Sequence, residues 1–405
     1  MTRPFSPARA RRTGAVLVAL SALVLAGCTA DAGETRAAEE GPVGVASPSP
    51  TAAAPAATIA TSVDDAEGPV TVDEVVEVQA EGGELEKVVV RAAGERLPGA
   101  VAEDRVTWTA SARLEPGLEY QVRAVAVNGE GRRTTRRTTF STEDLPLARQ
   151  TFPSIAPLEG ETVGVGMPVI VQFDVAVKDR AAIERNLSVE SSPKQAGSWH
   201  WVNANEVHWR PKKYWKPGTE VTVDADINSV PAGDGVYGQV SRRVSFTVGD
   251  AVVSKVDVAA HTMQVFVNGK RERIMPVSAG KPGFITRSGT KVIIEKVRDK
   301  VMDAATLGIA KNDPEYYRLD VEYAMRVTYS GEFLHAAPWS AGSQGVANVS
   351  HGCVGMTTDN AAWLFGITKR GDVVEVTGSE RTMGLYNGYG DWNASFEEYA
   401  EGSAL

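Results

Sequence analysis

Val106-Thr107-Trp108-Thr109, then Pro116-Gly117, then Glu119-Tyr120-Gln121-Val122-Arg123-Ala124-Val125 form a pattern that recurs as Trp209, Pro217-Gly218 and Glu220-Val221 with the same internal spacing. Trp209 stands 101 residues after Trp108 (209 − 108), and each copy closes on a short run centred on phenylalanine, Thr139-Phe140-Ser141 and Ser245-Phe246-Thr247. Apolar and polar side chains alternate within the runs, so each strand has one buried face and one wet face. Such runs, parted by turn residues, predict an antiparallel sandwich of about 100 residues. It is present twice, over residues 63–148 and 149–250. Trp199-His200-Trp201 and Val207-His208-Trp209 lie on strands of the second copy. Their aromatics are expected to pack the core or a turn, the other reading being a sugar-binding face.

On the N-terminal side of the repeat, residues 28–62 are dominated by alanine, proline, serine and threonine. A stretch so poor in large apolar groups cannot offset its ordering entropy and is expected to be a disordered tether. Fully extended it would reach roughly 110 Å. Before it, Arg3, Arg9, Arg11 and Arg12 precede an apolar run from Gly14 to Leu25 that ends Leu25-Ala26-Gly27-Cys28. The run is shorter than the ~20 residues of a membrane span, so residues 1–27 are expected to be a secretory signal peptide. Its end is similar to a bacterial lipobox, which would make Cys28 the lipidated first residue of the exported chain. The other reading is an ordinary signal peptide with an incidental cysteine.

On the C-terminal side, residues 251–378 read as a third, mostly β unit with few helices. Val252 to Val258, His261 to Val267 and Arg273 to Val277 are expected strands, the last two joined by Asn268-Gly269, a strong two-residue hairpin signal. Further strands are expected at Lys291 to Val297, Val321 to Tyr329 and Asp372 to Thr377. One helix is expected, capped by Thr357 or Thr358 and ended by Gly371. Residues 379–405 are rich in glycine and aromatics, and so many rings predict a segment that docks on a neighbour.

The chemistry concentrates in Ser350-His351-Gly352-Cys353-Val354-Gly355. Cys353 is the only cysteine after Cys28. A free cysteine is most often a small buried hydrophobe, and as a nucleophile it needs a base or cation nearby. Two histidines are available: His351, two residues before it, and His335, eighteen before it (353 − 335) at the end of Phe333-Leu334-His335. The residues alone do not rank them. In an exported protein a lone thiol is exposed to oxidation, which favours a chemical role.

Taken together, His335, the loop Ser340-Ala341-Gly342-Ser343-Gln344-Gly345 and Ser350-His351-Gly352-Cys353 resemble the signature of the L,D-transpeptidases, cysteine enzymes of the bacterial cell wall. The paired sandwiches resemble the immunoglobulin-like domains that precede the catalytic domain in actinobacterial members, and the aromatic tail resembles their C-terminal packing segment. The resemblance implies that Cys353 attacks a tetrapeptide stem of peptidoglycan at its third residue and releases the terminal D-alanine. The side-chain amine of the third residue of a second stem then takes the acyl group, giving a 3→3 cross-link. It implies His335 as base with its tautomer fixed by the carbonyl of Ala336, and His351 in support. The N–H groups of Gly352 and Cys353 would hold the oxyanion, with Tyr317 as helper. Met302, Tyr317, Trp339 and Ser350 would line the donor cleft. No cofactor is implied, and carbapenems are implied as covalent inhibitors. Two positions depart from the family: Gly355 stands where it usually has asparagine, and Thr286-Arg287-Ser288-Gly289 replaces its Thr-Pro-x-Gly turn. An asparagine at 355 would be expected to improve the hold on the donor.

The 42 Lys and Arg against 51 Asp and Glu leave a net charge of −9, with no basic run suited to nucleic acid. Contact with the membrane is expected only through the lipid on Cys28, with the chain on the outer face of the membrane and extending into the wall. Two other readings remain: a non-enzymatic wall-binding or β-lactam-sensing lipoprotein, and a zinc peptidase using His335, His351 and Cys353. No HExxH motif accompanies the latter, so no metal is expected.

Overall fold

The computed structural model describes residues 54–64 and 66–405, so the expected signal peptide, Cys28 and most of the tether lie outside the described residues. The fold is mainly β, with three short α-helices among the described residues. In the first sandwich, Thr58–Thr61, Glu77–Glu81, Thr107–Ala110 and Gly99–Val101 make one sheet, and Glu84–Ala92, Glu119–Val127 and Arg133–Ser141 dominate the other. The second repeats the plan, with Val169–Phe173, Glu206–Pro211 and Gly197–Asn203 facing Glu220–Ala225, Arg242–Val248 and Leu187–Ser192. Equivalent repeat residues do equivalent work. Trp108 and Trp209 are buried on central strands, and Tyr120 pairs with Phe140 as Val221 pairs with Phe246. Gly117 and Gly218, both at positive φ, donate their N–H groups to Glu143, just beyond the first phenylalanine strand, and to Val248, the last residue of the second. The strand Thr58–Thr61 begins inside the stretch expected to be tether: Ile59 is buried on Glu77–Glu81, but one apolar residue in an alanine-rich run gives too weak a pattern to read.

The third unit consists of two sheets around one core. One has the order Lys270–Pro276, Thr262–Val267, Val252–Asp257, Val373–Thr377, Gly289–Val292, and the other Glu295–Asp303, Arg318–Arg326, Phe333–Ala336, Val354–Met356. The single strand expected at Lys291 to Val297 is two strands. The chain changes sheets at Ile293 and Ile294, whose N–H groups donate to the carbonyl of Asp372, just before Val373–Thr377 of one sheet, and to that of Arg326 in the other. The helix Thr358–Ile367 starts as expected, with Thr357 accepting from the N–H of Asn360, but it stops four residues before Gly371. Thr368 ends it by turning extended and bonding Leu364 O. Gly371 serves the turn beyond, where a Cβ would lie 2.6 Å from Met167 Cβ of the second sandwich.

The C-terminal segment covers the outer face of the second sandwich, which is why residues of 199–201 and 207–209 are buried on both faces of their strands. His200 Nδ1 donates to Tyr399 O, Trp392 Nε1 donates to Gly166 O, and the Arg210 guanidinium lies over the rings of Trp392 and Tyr399. Asn393 bonds both backbone groups of Thr290 in the third unit. The short helix Phe396–Ala400 carries a capping box, Ser395 with Glu398, a serine-to-glutamate spacing legible in the sequence but missed there.

Candidate active site

The parallel pairing of Phe333–Ala336 with Val354–Met356 builds the site. Its register sets His335 opposite Gly355, with Cys353 one residue before the second strand. The connection between the two strands opens with a 3-10 turn, Pro338–Ser340, that carries Trp339, and runs on as a loop to Ser350. Cys353 is almost fully buried, packed with Met302, Val321, Ala324 and Phe333, with Tyr317 at the edge. It borders a pocket of about 190 Å³ that is also lined by His335, His351, Met302, Tyr317, Trp339, Ser350 and Gly355. The structure therefore brings together both histidines and the expected cleft residues.

His335 Nδ1 donates to Ala336 O at 2.7 Å, which leaves Nε2 as the nitrogen with a free lone pair. Burial holds its pKa below the usual range despite that bond, so the ring rests neutral. Burial likewise pushes the Cys353 thiol up to about 12, with Glu332 adding to it, while a backbone hydrogen bond from Phe333, then Lys291 and Arg326, lean the other way. The thiol donates to Gly331 O at 3.7 Å. The resting pair is thus a neutral thiol and a neutral imidazole. His351 is held differently: Nε2 lies 2.7 Å from Glu315 Oε2, and its ring packs against Phe284 and Tyr317. Glu315 also binds Lys281. The segment 350–353 is not extended, because Gly352 turns at φ +118°, a region that favours glycine.

Ser350 Oγ accepts from the N–H of Gly352 at 3.1 Å and donates to Cys353 O at 2.6 Å, so the Gly352 amide expected to face an oxyanion is engaged by Ser350 in this state. Tyr317 is kept protonated, its pKa pushed up to about 12 chiefly by burial, and its hydroxyl remains a donor. Gly355 exchanges both backbone hydrogen bonds with Ser278, and a Cβ there would lie 2.9 Å from Ala337 Cβ. The asparagine expected to help at this position therefore does not fit without movement of Ala337. Among the described residues no group of three or more His, Cys, Asp or Glu side chains is placed to hold a metal ion.

Residues that sequence reasoning passed over also converge here. Thr286 Oγ1 donates to Gly352 O and accepts from the N–H of Gly280. Glu332 is paired with Lys291 and Arg287. Charged residues that open an apolar run, as in Lys291-Val292-Ile293 and Glu332-Phe333-Leu334, were the available signal, since such residues are seldom buried unpaired. His261 lies outside the pocket, its Nδ1 3.0 Å from Asn348 Oδ1.

The family pattern of the L,D-transpeptidase catalytic domain matches residues 251–376, and that of a bacterial Ig domain matches residues 67–231, reaching across both sandwiches. L,D-transpeptidase 2 of Mycobacterium tuberculosis is 38% identical over 345 residues, covering 85% of this chain and 84% of that protein. L,D-transpeptidase 5 of the same species is 33% identical over 349 residues, covering 82% and 73%. A solved structure of an LD transpeptidase in complex with imipenem is 41% identical, covers 55% of this chain and 97% of that one, and superposes with a TM-score of 0.49.

Proposed function

The chain belongs to the L,D-transpeptidase family, and from that premise we propose that it forms 3→3 cross-links between peptidoglycan stems through a thioester on Cys353. The observation that carries this reading is the placement of His335 on one of two neighbouring parallel strands and of Cys353 at the entry to the other, both at one pocket, with His335 Nδ1 committed to Ala336 O. When a donor stem fills the pocket, the thiol leaves Gly331 O and gives its proton to His335 Nε2. The sulfur attacks the carbonyl carbon of the donor's third residue. The oxyanion is met by Tyr317 and by backbone N–H groups, that of Gly352 once Ser350 releases it. The C–N bond to the terminal D-alanine breaks, and His335 returns the proton to the departing amine. The side-chain amine of a second stem then attacks the thioester, passes a proton to His335, and frees the thiolate. Carbapenems acylate the same sulfur by opening their ring. The chain acts outside the cell as a lipoprotein anchored through Cys28. Sequence supports this last part through the run from Gly14 to Cys28.

Intact mass decides the reading. Incubation with imipenem should add one inhibitor to Cys353, and incubation with disaccharide-tetrapeptide should yield cross-linked dimer and free D-alanine. An imipenem adduct with no dimer and no D-alanine would favour a β-lactam-sensing protein. No adduct on Cys353 from either compound would remove the nucleophile from the argument.

A further inference from the structure

Beside the nucleophile lies a charge cluster that the reaction described above does not use. Glu332 Oε2 is 2.5 Å from Lys291 Nζ, and Oε1 is 2.7 Å from Arg287 Nη1 and 3.2 Å from the backbone N of Arg287. The side chains of Lys291 and Glu332 are only 1% and 5% exposed, and none of the three residues lines the pocket. Burying three charges is costly and is tolerated only where they satisfy one another. The cluster touches the Cys353 loop twice. A Cβ built on Gly352 would lie 3.6 Å from Glu332 Cγ, so the carboxylate arm packs directly under that glycine. Gly331, whose carbonyl accepts from the thiol, immediately precedes Glu332, and Thr286, whose hydroxyl holds Gly352 O, immediately precedes Arg287. Arg287 is also where the chain departs from the Thr-Pro-x-Gly turn of its family.

Burial pulls the Lys291 pKa down while Glu332 pulls it up. With Lys291 protonated in its ion pair, the formal count is one carboxylate against one ammonium and one guanidinium, which leaves one positive charge. Among the other charged or titratable groups around Cys353, Arg326 also favours the thiolate but is paired with the exposed Glu295, Tyr317 is neutral, His335 rests neutral, and Glu315 lies between His351 and Lys281. Glu332 itself works against the thiolate, so the cluster helps only through its net charge. We propose that this cluster positions the nucleophile: Glu332 seats the Gly352–Cys353 backbone, and the one unmatched positive charge shared by Lys291 and Arg287 stabilises the Cys353 thiolate. The thiolate role rests on the reading of Cys353 as nucleophile. Lys291, Arg287 and Glu332 are positioning residues, since none of them lines the substrate pocket.

The test is a charge count on the full chain, read as the rate at which iodoacetamide alkylates Cys353 at pH 8, with thermal melting as a control for folding. Lys291→Met and Arg287→Gln each bring the cluster from +1 to zero, and each should slow alkylation about tenfold, the equivalent of one pKa unit. The double variant Lys291→Met/Glu332→Gln returns the cluster to +1 and should recover most of the rate, although it removes the buried ion pair. A purely structural pair would leave the double variant at least as slow as the single one. If Lys291→Met fails to fold, Arg287→Gln carries the same count from the more exposed end of the cluster. Equal rates in the folded wild type and both single variants, or no recovery in the double, would overturn the proposal. Alkylation needs no turnover, so a protein that follows the charge count yet forms no cross-links would sink the transpeptidase reading and leave the cluster standing.

Discussion

His208 and Asp391, 183 residues apart in the chain, share a 2.8 Å hydrogen bond in the interior, with Nδ1 donating to Oδ1. The second ring nitrogen faces Glu206 at 2.8 Å, so both nitrogens meet carboxylates and the ring is held as an imidazolium. Burial opposes that charge, but Asp391 and then Glu206 outweigh it, and the pKa is pushed up to about 9.

Because this pKa is raised above its unfolded value, the stabilisation it brings is complete below about pH 6.5 and is lost as pH rises through about 9. The melting temperature should therefore fall across that window. His208→Gln should melt lower at pH 6 and lose the slope over the same range. Parallel melting curves for the two proteins from pH 6 to pH 10 would show that the pair contributes nothing linked to protonation.

Cys353→Ala should abolish cross-linking and imipenem adduct formation while leaving the melting temperature within a few degrees. The side chain is small and nearly buried, and it makes one long hydrogen bond. D-alanine release by the alanine variant at a comparable rate would show that the nucleophile lies elsewhere.

His335→Ala should slow acylation at neutral pH by about 10²–10⁴-fold, the range of a general base. His351→Ala should cost less, since its Nε2 is committed to Glu315 and its ring is wedged between Phe284 and Tyr317. Stopped-flow acylation by imipenem ranks the two. The reverse order would move the base to His351.

Gly355→Asn should slow the reaction or destabilise the protein by about 1–3 kcal/mol, the usual cost of overpacking. The obstacle is Ala337 Cβ, 2.9 Å from where the new Cβ must go. Gly355→Asn/Ala337→Gly should relieve that contact, and kcat/KM on a tetrapeptide donor is the measurement. Full activity and stability in the single variant would mean that the two strands part easily at this point.

Deleting residues 54–148 should leave a folded protein that still acylates, whereas deleting residues 54–250 should not. The second cut strips the cover from Tyr389 and Tyr399 and removes the partners of Trp392 and Asp391. Solubility and dye binding to exposed apolar surface distinguish the two products. A well-behaved product from the longer deletion would show that the C-terminal segment folds against the catalytic unit alone.

The repeat centred on Trp108 and Trp209 was legible because alternation on a half-buried strand is written every second residue. The pocket residues were legible because they sit within the Ser350–Gly355 motif or at positions matched to it. Three kinds of feature were not. The change of sheet at Ile293 leaves an unbroken apolar run, so nothing local marks it. The partners Lys291 and Glu332 are 41 residues apart, and pairing between distant charges has no local pattern. The obstacle at Gly355 depends on Ala337, just past the end of the neighbouring strand, a distance that only the folded register sets.

The way the last residues return across the second sandwich also determines how the protein bears load. A pull between the N-terminal end and the catalytic unit passes covalently through residues 249–251. A second strut runs in parallel with that crossing: the segment is gripped on one side by Gly166, His200 and His208 and on the other by Thr290. Direct bonds between the two units, Glu161 with Arg370 and the Gly166 N–H to Gly371 O, brace the same joint. Connections in parallel resist bending where one would hinge, so the joint between the second sandwich and the catalytic unit is stiffened against bending.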